Sequence, residues 1–148
     1  MYFDDLSQYQ YMQKPLELSD HPILCVGWLD ANKQFSKGNV SEEFLDRIWV
    51  FCCHPVLYTL GFHQCPFCKE PSFGIHVRRG DKETDLGSAE IWILGQNGII
   101  YAAPDLIYHY IVGHDYQPPD EFIQAVIQSP LPGSEDYERI THQPGWPR

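Results

Sequence analysis

Two cysteines set two residues apart, Cys65-Pro66-Phe67-Cys68, with His63 just ahead of them, constrain this chain more than any other feature. A Cys-x-x-Cys turn brings two sulfurs together from one short loop, a geometry that suits a zinc ion, a redox pair or plain packing in the core. Which of the three applies decides what the rest of the chain must build around residues 65–68.

Local density argues against plain packing, because Cys52, Cys53, His54, His63, Cys65 and Cys68 all fall within one short stretch. A redox pair needs its first cysteine as a thiolate, which thioredoxin-like folds achieve at a helix N-terminus. Taken alone, "CPFC" resembles the active site of glutaredoxins. Here Pro71 and Gly74 follow within six residues and would break that helix, and no βαβ pattern surrounds the pair. A structural zinc is the reading the residues support best, with Cys65 and Cys68 as its firmest ligands. Two further donors must come from elsewhere, and His63 and His54 are nearest along the chain. Cys53 and the more distant His109 stand behind them.

Five cysteines, an odd number with two adjacent, do not resemble a secreted disulfide scaffold. The opening "MYFDDLSQYQYMQ" has no basic start followed by an apolar run, and no apolar stretch reaches 18 residues, so neither a signal peptide nor a membrane span is expected. A cytoplasmic protein is the expectation. With a net charge of −10, the chain repels nucleic-acid phosphates unless a basic stripe intervenes. The one basic cluster, Arg78, Arg79 and Lys82, is interleaved by Asp81, Glu83 and Asp85 and reads as a solvated turn. A basic protein partner suits this surface better than nucleic acid or an anionic membrane.

The 148 residues fit one domain able to bury its own core. The pattern predicts an N-terminal arm over residues 1–20, then a buried strand in "ILCVGWL", residues 23–29. A helix follows with legible ends. Ser41 is a suitable N-cap, Glu42 and Glu43 complement the dipole, and Pro55 bars continuation. Phe44, Leu45, Ile48, Trp49 and Cys52 recur on one face, which puts Cys52 in the core. "FGIHVRRGD", "AEIWIL" and "IIYAA" read as three strands of one antiparallel meander over 74–103, the last two joined by Asn97-Gly98. Two helices close the domain. The first is expected from Pro104 to Gly113 on Leu106, Ile107, Tyr110 and Ile111, the second from Pro119 on Phe122, Ile123, Val126 and Ile127. The predicted fold is therefore a single α+β domain over 1–128, a short β-meander packed with about three helices and carrying a zinc knuckle. Residues 129–148 form a Pro-rich tail, loose or laid along the surface.

His109 lies off the apolar face of its helix, towards solvent or a cleft, whereas the direction of His114 cannot be read from the pattern. For both, a structural histidine is the simpler reading. "His114-Asp115" resembles the dipeptide of metal-dependent HD phosphohydrolases, but that fold is helical throughout and needs further ligands on other helices. No Gly-x-Ser-x-Gly, His-Glu-x-x-His, Gly-x-Gly-x-x-Gly or phosphate loop occurs.

The segments "MYFDDLS", "VGWLD", "HPVLYTLGFHQCPFC", "LGSAEIWI" and "YAAPDLIYHYIVGHDYQPPDEF" together resemble a family of small, largely uncharacterised bacterial proteins. The resemblance implies a complete small protein, with His54, His63, Cys65, Cys68, His109 and His114 in the pattern and no activity to carry over. Two functions remain in contention. One is a non-catalytic binding protein with a structural zinc, of which an immunity-type protein neutralising a basic bacterial toxin is a specific form. The other is a zinc-dependent hydrolase with an open coordination position, in which Glu70 or Asp115 would accept the proton.

Overall fold

The computed structural model describes residues 1–10, 20–59, 62–69 and 74–146. Its elements in chain order are β1 (Ile23–Cys25), α1 (Glu42–Cys53), β2 (Leu57–Tyr58), β3 (Ile75–Arg79), β4 (Lys82–Leu86), β5 (Ala89–Leu94), β6 (Ile100–Pro104), α2 (Ile107–His114), α3 (Asp120–Gln128) and α4 (Glu135–Thr141). The α+β class is as expected.

The strands divide differently from the single meander expected over 74–103. β5 and β6 form the hairpin set by Asn97-Gly98, with Gly98 at φ +80° and the Asn97 side chain accepting from Ile99 N at 3.0 Å. β3 turns back at once onto β4 and pairs with it from Ile75↔Leu86 to Arg79↔Lys82, making a separate two-stranded sheet. Of the residues read as a solvated turn, Asp81 lies in the exposed turn and Arg78, Arg79, Lys82, Glu83 and Asp85 lie on the two strands that flank it. The main sheet has the order β1-β6-β5-β2, with β1 parallel to β6 and the other pairs antiparallel.

Side-chain alternation along β5 and β6 sends residues to two apolar clusters. Ile91, Ile93, Tyr101 and Ala103 face α1, α2 and α3 in the larger cluster. Trp92, Ile100 and Ala102 face the other way, against Tyr9, Ile23, Trp28 and Trp146. Being covered on both sides, β6 is buried throughout.

Helix α1 forms as its sequence indicates. The Ser41 hydroxyl accepts from Phe44 N, Glu42 and Glu43 fill the first turn, and Phe44, Leu45, Ile48, Trp49, Phe51 and Cys52 are buried. Arg47 ties α1 to α3, donating from Nε to the Val126 carbonyl at 2.8 Å and from Nη2 to the Ser129 carbonyl just beyond it. Arg79 ties the β3–β4 hairpin to α1 through Glu42 and Asp46.

Two expected boundaries move. Pro104 ends β6 and does not open a helix, because Asp105 extends the ladder by donating its N–H to the Ala89 carbonyl at 2.9 Å. Gly113 lies inside α2, which stops one residue later where Asp115 adopts the left-handed conformation at φ 59°. Beyond residue 128 the chain is not featureless: Ser134 caps α4, and Trp146 is buried in the second cluster. Among the described residues no helix is long and apolar enough to cross a membrane. The arm expected over 1–20 falls partly outside the described residues, but Tyr9 within it is fully buried.

Candidate metal centre

The Cys65–Cys68 turn is fixed before any ion is considered. His63 N donates to the Gly87 carbonyl at 2.7 Å, which pins the approaching chain against the start of β5. Phe67, between the cysteines, packs its ring on Phe35, Tyr110 and His114 at centroid distances of 5.1, 5.9 and 5.3 Å. An apolar anchor inside the turn sets both sulfurs against α2.

Helix α2 supplies the other side. Ile107, Tyr108, Tyr110 and Ile111 are buried, which leaves His109 on the flank facing the turn. Gly113 makes room for it: a Cβ there would lie 3.2 Å from the Cε1 atom of His109. His114, the last residue of the helix, meets the His109 ring edge-on at 5.0 Å.

Four donor atoms converge as a result. The sulfur of Cys65 lies 3.3 Å from His114 Nε2, and that of Cys68 lies 3.3 Å from His109 Nε2 and 3.6 Å from His114 Nε2. All four ligand atoms of Cys65, Cys68, His109 and His114 fall within 4.8 Å of one another. Ordinary zinc–sulfur and zinc–nitrogen bonds in a tetrahedron give sulfur–nitrogen edges of about 3.5 Å. The cluster therefore has the size and donor chemistry to hold a metal ion. Burial pushes the Cys65 thiol up from its ordinary value, and burial followed by the neighbouring His114 pushes His109 down. The second shift favours the neutral imidazole, which is the ligating form.

The structure brings together three of the six residues singled out by sequence, Cys65, Cys68 and the second-rank His109, and adds His114. His54, expected as a ligand, is exposed at the end of α1, and its Nδ1 lies 3.0 Å from the Val50 carbonyl one turn back. His63 is also exposed and stands outside the four-residue group. Cys53 is half-buried on α1 and stands outside it too. Proximity along the chain was the wrong guide. The spacing His109-x₄-His114 fits a ligand pair for zinc, a signal that the reading by chain proximity did not use. Asp115, one proton acceptor considered for a hydrolase, serves as the C-cap of α2, and Glu70, the other, lies outside the described residues.

A cavity of about 260 Å³ lies beside the centre, with Pro66 and Tyr110 in the wall that faces it. Glu90, 1% exposed, also lines the cavity, and its two carboxylate oxygens accept from the Tyr9 hydroxyl at 2.9 and 3.1 Å. Burial pushes Glu90 up to about 7. Asp105, also buried, accepts from Gly87 N at 2.8 Å and is pushed up to about 6 for the same reason.

Fold and site together define an α+β domain with a Cys₂His₂ cluster between a loop and the C-terminal half of a helix. The chain belongs to a family described as a domain of unknown function (DUF7919), whose sequence model matches residues 1–127. No curated protein and no solved structure matches the chain.

Proposed function

We propose that this protein is a non-catalytic binding protein stapled by one structural zinc ion held by Cys65, Cys68, His109 and His114. The observation that carries the reading is the closed donor set, since four protein ligands leave a tetrahedral zinc no position for water. Two thiolates and two imidazoles suit zinc better than calcium or magnesium, which take oxygen ligands. The ion would join residues 65–68 to α2, a long-range closure that rigidifies the loop. The net charge of −10 favours a basic protein as partner, and a basic toxin is the specific form of that idea.

The test is native mass spectrometry with elemental analysis on protein purified without a metal-affinity tag. Wild type should carry one equivalent of zinc. Cys65→Ser, Cys68→Ser, His109→Ala and His114→Ala should each lose it and melt about 10 °C lower. His54→Ala and His63→Ala should keep it. Metal-free wild type, or retention in the four ligand variants, would sink the reading.

A further inference from the structure

The cavity beside the metal centre has a chemistry that the zinc does not use. Trp28 forms one wall and is held rigid, its indole N–H donating to the Ala102 carbonyl at 3.0 Å and its ring packed against Phe3. Leu106, Pro66 and Tyr110 add apolar and aromatic surface, and Asp30, Glu90 and Asp105 add carboxyl groups. Among the described residues lining it there is no lysine or arginine, and Met1 and His63 are also in the lining. An aromatic face beside acids, within a volume just below that of pockets for drug-sized molecules, matches one small positively charged group on a short apolar stem.

We propose that this cavity binds an organic cation, an ammonium or guanidinium group on an alkyl stem, with the charge between Trp28 and the carboxylates of Glu90 and Asp30. Glu90 is buried and accepts from the Tyr9 hydroxyl at 2.9 Å and from the Trp92 indole N–H at 3.5 Å, so the acid is positioned before a ligand arrives. Burial raises both Glu90 and Asp105, the direction that a bound cation would reverse. The cation can reach the cavity as a free amine or as a lysine or arginine side chain of a partner. The second route rests on the basic-partner reading above.

The experiment is calorimetric titration of the zinc-loaded full chain at pH 8, with metal content measured on the same samples. The probes are n-butylammonium, n-butylguanidinium, neutral n-butanol and a short peptide with one central arginine. At least one cation should bind with millimolar or tighter affinity, and n-butanol at least tenfold more weakly. Glu90→Gln, or Asp30→Asn at the rim, should weaken the cation at least tenfold while metal content stays unchanged. Tighter binding of the peptide than of the free cations identifies a side chain as the occupant, and the reverse identifies a small molecule. The proposal is overturned if no cation binds, if n-butanol binds equally well, or if neither variant changes the affinity. A chain that holds its metal and binds no cation refutes the cavity alone.

Discussion

At the scale of single residues, Glu90 is the group most at odds with its surroundings. Its carboxyl is raised to about 7 by burial, against an ordinary value of 4.5, so the fold favours the neutral acid. The stabilisation that this provides is complete below about pH 4.5 and is lost as the pH rises through 7. Glu90→Gln should therefore stabilise the protein by roughly 2 kcal/mol at pH 8 and change little at pH 4, as read from denaturant melts at both values. Equal effects at the two pH values would show that the ionisation of Glu90 is not what matters. Residues of this kind are hard to foresee. Glu90 sits in "AEIWIL", where the apolar neighbours announce a strand but not that the strand is covered on both faces. The cysteine turn was legible because both ligands come from one loop, whereas assigning His109 and His114 required knowing which helix crosses over it.

At the scale of elements, α2 has two duties that its glycine separates. Gly113 weakens the helix but leaves space for the His109 ring. Gly113→Ala should stabilise the metal-free protein by up to about 1 kcal/mol and weaken metal binding about tenfold, because the ring must shift from a methyl group. Thermal melts in chelator, together with chelator competition for the metal, check both halves. A variant that gains helix stability and keeps full metal affinity would show that the ring has room to spare. Helix α1 could be drawn from sequence residue by residue because its cap, dipole acids and apolar face are local. The strands could not. β3 has the alternation of any half-buried strand, and nothing in "IHVRR" says that its partner is the next strand, β4, and not β5. Pro104 fits both a helix start and a strand end, and the deciding bond, from Asp105 N to Ala89, comes from a neighbouring strand.

At the scale of the whole molecule, the sheet is completed by segments far apart in sequence. β1 joins β6 in parallel, and Trp146 reaches the same face as Tyr9 and Trp28. Ending the chain at Gln128 should uncover the second cluster and cost several kcal/mol, seen as a lower melting temperature with α1 and the metal retained. An unchanged melting temperature would make α4 and Trp146 dispensable. The parallel pairing and the closure of 129–146 were not legible because short apolar strands do not encode their partners, and because proline-rich sequence resembles a loose tail. The placement of the tryptophans also has a spectroscopic consequence. Trp28, Trp92 and Trp146 share the cluster on one face of the sheet, while Cys65 and Trp49 belong to the cluster on the other. Three of the four tryptophans thus lie in the cluster that does not hold Cys65, and of these Trp28 also lines the cavity beside the metal centre. A chelation experiment followed by tryptophan emission therefore reports on the sheet and on the Trp28 wall of the cavity, and the loss of the ion itself has to be read at the sulfurs.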